Sequence, residues 1–371
     1  DSAASSRSSF RAISALTKRT LMVDIPKLTE QERYHLFLSH AWPSAQDRVR
    51  VITERLQVCM PGIRVFLDAD NLTEGSGTRQ IDQSTCILVF CTREYCKKKQ
   101  SMMELYRAVV QRKRILACFD PDQTMDGGVD ERWIREAVTD ELLDKLALNA
   151  KFTEWREHAE VLNHGYLQAP PTASDVCNAL FEVPPVEWSR IKHLQDVTIR
   201  LLVERGVLHG ERKLLLQGEV ASRRVVLKQQ RRVFISLHNM GVTRVAQELA
   251  EMTNGKLVHT DKKEEISLCH HMLVLLNRLT WTSQVKEAFI ADVVHAMRRG
   301  MRIVCAHEAP SLLDEPQSDR HPCNFELMFQ YDWTPHFLKT GAANLYTQIA
   351  IALMSKEWRE PGLVLLAEKI G

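Results

Sequence analysis

Short apolar runs alternate along this chain with longer segments of helical periodicity. Leu36–Leu38 and Cys86–Cys91 are runs of the first kind, and Val49, Ile52 and Leu56 recur at helical spacing between them. Runs that are apolar throughout are typical of strands covered on both faces of a sheet. Because such strands alternate with helices, the pattern favours βαβ units and a parallel sheet. The sequence therefore predicts an α/β fold.

The strand-and-helix pattern occurs twice. The run Arg232–Ser236 repeats the run that ends at Ser39, and Met272–Leu276 repeats Ile87–Cys91. Equal spacings of 11 residues separate an acidic helical residue from the next strand in the two halves. One spacing runs from Glu104 to Ile115 and the other from Asp292 to Ile303. This self-similarity predicts one α/β unit present in two copies.

The two copies differ between their first and third strands. Ser39 and Ile87 are 48 residues apart, whereas Ser236 and Met272 are 36 apart, so the second copy lacks about 12 residues. Most of the missing residues follow its second strand. In the first copy this place holds the stretch VFLDADNLTEGSGTRQI, residues 65–81. We therefore expect a recognition loop that only the first copy has in full.

Two chemical roles for this loop, phosphate binding and metal binding, are less favourable than a structural role. Gly75-Ser-Gly77 does not have the spacing of a phosphate-binding loop and follows the second strand, so the glycines are interpreted as hinges. Asp68 and Asp70 could bind a metal ion as a pair, but such residues more often cap turns with their side chains. We expect no metal site.

The chain divides into four segments by composition and repeat. Residues 1–30 are interpreted as a leader or interdomain arm, with a short helix at Phe10–Leu16. Residues 31–210 form the first predicted domain, 211–230 a linker, and 231–371 the second domain, with its shortened loop. Because residue 1 is Asp, we interpret the chain as part of a longer protein.

Composition restricts the classes of function. The 371 residues are 44% hydrophobic and 26% charged, with a net charge of +2, so no global charge favours nucleic acid or membrane binding. Nine scattered cysteines, an odd number, indicate reduced thiols rather than a disulfide framework, which favours a cytoplasmic location. No apolar run reaches the ~18 residues of a membrane span. Any membrane attachment is expected to lie in parts of a longer parent protein.

The order of motifs resembles that of a TIR (Toll/interleukin-1 receptor) domain. In that family a first strand ends in Ser, the loop after the second strand carries Asp, Leu and Gly, and a later helix holds a Glu-Leu pair. The matching residues here are the following: Ser39, Asp68, Leu72, Gly75, Ser84, Glu104 and Leu105. A closer resemblance is to a tandem TIR-like module of large multidomain algal and oomycete proteins, through Trp188–Val197 and the ending Asn344–Leu353.

The resemblance implies two flavodoxin-like, doubly wound domains, each a roughly five-stranded parallel sheet with helices on both faces. It also implies a signalling or scaffolding module whose partners are other TIR domains or the rest of a larger complex. No cofactor is implied. Since some TIR domains cleave NAD⁺ with the helical Glu, the resemblance leaves open an alternative in which NAD⁺ is a substrate.

In that enzymatic alternative, Glu104 is the catalytic residue of the first domain. The pocket would be formed by these residues: Ser39, His40, Asp68, Asp70, Leu72, Gly75, Gly77 and Thr92. Gln100–Glu104 lacks the Trp that usually precedes the Glu of active relatives. The second domain has Asp292 and Ser236 as degenerate counterparts and is predicted to be inactive.

Three further clusters contain residue types that are common in binding sites. Cys269-His270-His271 looks like a metal site, but adjacent residues point in different directions and no second ligand pair is present. The basic stretches Lys97–Lys99 with Arg112–Arg114, and Arg223–Arg232, lack interleaved aromatic residues. They are interpreted as solvated faces or contacts for acidic partners rather than nucleic-acid sites.

Overall fold

The computed structural model describes residues 8–67, 78–121, 127–162, 165–208, 213–314, 319–330, 333–340 and 344–371. The chain forms two compact units, Asp1–Ser222 and Arg223–Gly371. Within the described residues, no helix combines the length and the apolar character needed to cross a bilayer.

The first unit contains strands and helices that alternate through most of its length. The strands are β1 (Ser9–Ser14), β2 (Thr20–Asp24), β3 (Tyr34–His40), β4 (Val65–Leu67), β5 (Ser84–Cys91), β6 (Arg114–Phe119), β7 (Val186–Glu187) and β8 (Leu214–Leu216). The helices are α1 (Trp42–Cys59), α2 (Thr78–Asp82), α3 (Lys99–Val110), α4 (Glu131–Ala137), α5 (Asp140–Lys145), α6 (Phe152–Val161), α7 (Ala173–Phe181) and α8 (Lys192–Leu202).

Five of these strands form one parallel sheet in the order β4-β3-β5-β6-β7. Leu38 pairs with both Leu67 and Leu88, which places β3 inside the sheet. Every side chain from Cys86 to Cys91 is buried. The apolar composition of β5 is thus explained, because helices cover both faces of the sheet.

The arm at the beginning of the chain is a strand, not a helix. β1 pairs antiparallel with β2 and with β8, so that Ala12 lies opposite both Leu21 and Leu216. Phe10 and Ala12 are buried while Arg11 between them is exposed, an alternation that suits a strand. The short helix predicted at Phe10–Leu16 is therefore wrong. A partner strand some 200 residues away, which no local pattern reveals, decides the conformation.

The second unit repeats the sheet of the first. Its strands are β9 (Arg231–Phe234), β10 (Leu257–Thr260), β11 (His271–Leu276), β12 (Arg302–Glu308) and β13 (Ile351–Leu353). Its helices are α9 (Val242–Met252), α10 (Lys286–Arg298), α11 (Leu327–Gln330), α12 (His336–Lys339) and α13 (Arg359–Ile370). All pairs are parallel, in the order β10-β9-β11-β12-β13.

Both five-stranded sheets have the strand order 2-1-3-4-5 when the strands of each sheet are numbered along the chain, which is the flavodoxin-like order. The predicted fold class, two doubly wound α/β domains with five-stranded parallel sheets, is confirmed. In such sheets the carboxyl ends of the strands meet at one edge and the amino ends at the other. The polar residues that flank the strands are therefore brought together at these two edges.

The nine cysteines are unpaired, as the sequence predicts, and eight of them are buried. Burial raises the pKa of the Cys86 thiol and of the Cys305 thiol to about 12. Since the thiolate is the reactive form, these core cysteines act as small apolar side chains.

Gly362 allows α13 to approach β13 closely. A Cβ atom at this position would collide with the carbonyl oxygen of Ala352 and lie 2.8 Å from Leu353 Cδ2. In an ordinary helix, Gly to Ala raises stability by up to about 1 kcal/mol. We expect Gly362→Ala instead to lower the free energy of unfolding by about 1–3 kcal/mol, since the helix must shift. Urea denaturation followed by circular dichroism measures the effect.

Gly206→Ala is the comparison, because its Cβ would meet only a movable methyl group, Leu116 Cδ2, at 3.2 Å, with its other neighbours at 3.8 Å. It should destabilise the protein less than Gly362→Ala. Equal or greater stability of the Gly362→Ala protein than of wild type would contradict the close approach.

Candidate functional site

A serine and a glutamate meet at the carboxyl edge of the first sheet. Ser39 is the penultimate residue of β3, and Glu104 lies on α3, the helix that follows β5. Ser39 Oγ donates a hydrogen bond to Glu104 Oε2 at 2.6 Å, and Gln100 Nε2 donates to Glu104 Oε1 at 3.1 Å. Glu104 is only 5% exposed. The pair links the first strand of the sheet to a covering helix.

Tyr95 belongs to the same cluster, although the sequence reasoning did not select it. Its hydroxyl group lies 2.8 Å from Ser39 Oγ and donates to the Ser101 carbonyl oxygen at 3.0 Å. Burial, together with the negative charge of Glu104, raises the pKa of Tyr95 well above its usual value. The phenol therefore stays neutral and serves as a hydrogen-bonding group. The available signal was an aromatic hydroxyl a few residues after a buried strand.

His40 follows Ser39 and is 6% exposed. Its Nδ1 lies 3.4 Å from the Leu38 carbonyl oxygen, while its buried Nε2 has no hydrogen-bond partner among the residues that the structure describes. Ser101 Oγ donates to the His40 carbonyl oxygen at 3.3 Å, which ties the strand end to α3. Burial lowers the pKa of His40, so the imidazole is neutral at neutral pH.

Thr92 follows β5 at the same edge, but its hydrogen bond goes elsewhere. Its Oγ1 lies 3.1 Å from Ser44 Oγ in the first turn of α1. The predicted loop residues Asp68, Asp70, Leu72, Gly75 and Gly77 lie outside the described residues. Of the predicted group, Ser39 and Glu104 are in direct contact, His40 adjoins them, and Thr92 belongs to a neighbouring contact.

The second unit has the same kind of pair. Ser236 Oγ donates to Asp292 Oδ2 at 2.7 Å, and Lys263 Nζ lies 2.7 Å from Asp292 Oδ1. Asp292 is 3% exposed. The shorter side chain thus reaches its serine as Glu104 does, but its charge is balanced by a lysine. The predicted counterparts Ser236 and Asp292 are in direct contact.

A second repeated contact, an arginine with a carboxylate, lies at the same edge and was missed in the sequence. Arg48 on α1 pairs with Asp120, which directly follows β6. In the second unit Arg244 on α9 lies 3.6 Å from Glu308, the last residue of β12. Both carboxylates are fully buried. The available signal was an acidic residue at the end of the fourth strand in both copies.

Glu308 is surrounded by two more arginines. Arg320 Nε lies 2.8 Å from Glu308 Oε2, and Arg359 Nη2 lies 3.1 Å from Oε1. These arginines pair in turn with further carboxylates, Asp314 and Glu248. A buried carboxylate is tolerated only when it is paired and hydrogen-bonded, which this cluster achieves. Its role in the described residues is to join β12, α9 and α13.

The serine of each pair is expected to stabilise its unit. In Ser39→Ala or Ser236→Ala a buried carboxylate oxygen loses its donor, so the free energy of unfolding should fall by about 1–3 kcal/mol. The exposed Ser174 makes no such bond, and Ser174→Ala is the matched control, with an expected change within about 0.5 kcal/mol. Urea denaturation compares the variants. An unchanged stability of both site variants would contradict a stabilising role of the pair.

Comparison with known proteins identifies part of the first unit. Residues 36–141 match the family model described as TIR domain. No curated protein sequence matches the chain. Among solved structures, one described as "Structure of the activated Roq1 resistosome directly recognizing the pathogen effector XopQ (TIR domains)" is similar at 18% identity. The match covers 40% of this chain and 98% of that chain with a TM-score of 0.25, too low to support any conclusion about function. The first unit is therefore similar to the TIR domain family over residues 36–141.

Proposed function

We propose that the chain is a cytoplasmic signalling or scaffolding module that works through contacts between TIR domains. The match of residues 36–141 to the TIR family supports this class of function. Its partners are other TIR domains or the remainder of a larger complex. No cofactor is needed for such a role.

The observation that carries this proposal is that both site carboxylates are buried and held by hydrogen bonds or an ion pair. Both oxygens of Glu104 accept hydrogen bonds, and Asp292 is held by Ser236 and Lys263. A catalytic carboxylate must reach its substrate, whereas these two are almost inaccessible. The pair is also present in the unit with the shortened loop. A role in holding the edge of each domain explains both facts.

Exposed apolar side chains follow each site serine. Trp42 in the first unit is 40% exposed, and Leu237 and Met240 in the second are 63% and 41% exposed. Large apolar groups at the surface are characteristic of protein–protein contacts. Because the residues adjoin the edge at which the family resemblance places recognition, we assign them to contacts with a TIR domain of another copy of the chain.

Self-association tests this assignment. Sedimentation velocity across a wide range of protein concentration should show a rising mean mass for the wild-type chain. Trp42→Glu and Leu237→Glu should each move this transition to concentrations at least about tenfold higher, because a charge cannot be buried in an apolar contact. Val161→Glu, at the exposed end of α6, is the control and should behave as wild type. A monomer at every concentration would contradict assembly through copies of this chain.

NAD⁺ cleavage in the first domain is the second candidate. It is favoured by one difference between the copies: Glu104 accepts bonds from the neutral groups of Ser39 and Gln100, whereas Asp292 pairs with a cation. Beside it, His40 has a buried nitrogen that no described residue hydrogen-bonds. A freed Glu104 could stabilise an oxocarbenium-like centre. In this alternative the domain must first open.

Nicotinamide release from NAD⁺ distinguishes the two candidates. Under the principal proposal, the wild-type chain releases none above background at low or high protein concentration. Release that is lost in Glu104→Gln but kept in Asp292→Asn would instead establish the enzymatic alternative. Release that persists in Glu104→Gln would contradict the assignment of the site.

A further inference from the structure

The amino edge of the second sheet carries a cavity of about 530 Å³. All of its lining residues belong to the second unit. Six of them are basic or imidazole side chains, namely Arg231, His270, His271, Arg299, Arg302 and Lys369. The strands β9, β11 and β12 begin here, and because they are parallel they all start at this end of the sheet, with His271 directly beside Arg302. Two motifs without a role so far, the Cys-His-His run and the basic stretch, thus meet in one place.

The positive charges of the cavity are not balanced by acids. Its lining contains neither Asp nor Glu. Arg231 Nε donates to the Gly371 carbonyl oxygen at 3.2 Å and Lys369 Nζ to the Ile349 carbonyl oxygen at 3.4 Å. Arg299 and Arg302 make no ion pair with any residue that the structure describes. Four formal positive charges therefore converge without an acidic side chain, and the carboxyl group of Gly371, the last residue of the chain, offsets one of them.

The corresponding edge of the first unit is built differently. There Arg107 pairs with the buried Asp82 at 2.6 Å, and Lys113 donates to the Asp82 and Ser84 carbonyl oxygens. Its basic groups thus have acidic and backbone partners that hold α2 and β5 in place. The lack of a counterpart to Asp82 in the cavity lining makes the second unit the one with attraction for anions.

The pKa of His271 is affected by the same positive charges. Its pKa is lowered first by burial and then by the positive charges of Arg302, His270 and Arg231. These three groups come from neighbouring strand ends and act on one imidazole. An anion in the cavity would relieve this repulsion.

Helix ends explain part of the basic character, but not all of it. Arg299 follows α10 and Lys369 lies in the last turn of α13, where a cation is favoured by the helix dipole. Each helix end has a partial charge of only about −0.5. Arg231 and Arg302 begin strands, so the dipole account does not apply to them. The cavity keeps an excess of positive charge.

We propose that this cavity binds a compact anion with several phosphate groups. Guanidinium groups match phosphate oxygens with paired hydrogen bonds, and the cavity has the volume of a small-ligand site. No Phe, Tyr or Trp side chain lines it, whereas its arginines favour phosphates, so the phosphates are the recognised part. The phosphate cluster belongs to a free small molecule or to the headgroup of a phosphoinositide.

Calorimetry with inorganic tripolyphosphate tests the site on the full chain. Wild type should bind one equivalent, and Arg299→Ala and Arg302→Ala should each weaken binding about tenfold, the loss expected for one charge-assisted contact. Arg298→Ala is the matched control, since Arg298 is the exposed neighbour of Arg299 but does not line the cavity. It should change binding less than about twofold. Circular dichroism confirms that the variants are folded.

Equal weakening by all three variants, or no saturable binding by wild type, would overturn the proposal, because the attraction would then be a general surface effect or absent. Vesicles of phosphatidylcholine with and without a phosphoinositide identify the source. Binding to the phosphoinositide vesicles that tripolyphosphate displaces and Arg302→Ala abolishes indicates a lipid headgroup. Tripolyphosphate binding without vesicle binding indicates a free ligand.

Discussion

The rest of the structure depends on the burial of two parallel sheets on both faces. Strands in this position must be apolar along their whole length, as Cys86–Cys91 and Met272–Leu276 are. Polar side chains are therefore excluded from the middle of each sheet and placed at its two edges. The chemistry open to the chain is set by which edge a residue occupies and by what partners it finds there.

At the carboxyl edges the polar groups are largely paired with one another. Ser39 pairs with Glu104, the carboxylate that the TIR resemblance would assign to catalysis, and Ser236 pairs with its degenerate counterpart Asp292. The acidic residues at the ends of the fourth strands, Asp120 and Glu308, are likewise paired with arginines. Buried charges of this kind stabilise a fold only when every partner is present. The edges thus behave as cross-links between strands and helices, with apolar side chains exposed beside them.

Much of the fold and part of the site could be predicted from local patterns. Apolar runs and helical spacing locate the central strands, and the equal spacings from Glu104 and Asp292 to the next strand reveal the repeat. Tyr95 and the arginine–carboxylate contacts could not be found in this way, since a hydrogen bond between distant residues leaves no periodic signal. For the same reason local patterns predict a helix at Phe10 where the structure has a strand, because its partner β8 lies near the end of the unit.

The sequence alone determined the α/β class and its repeat, because strand burial follows from hydrophobic periodicity, while the resemblance to TIR domains indicated Ser39, Glu104 and their counterparts. Only the tertiary structure decided whether these charged groups are paired with other residues or left available to a ligand. The carboxylates of Glu104 and Asp292 are held because Ser39 and Lys263, distant from them along the chain, reach them in the fold. The cations around Arg302 stay in excess because three strand ends and two helix ends bring them together without an acidic side chain. Such balances of charge depend on distances in space, which spacing along the chain does not contain.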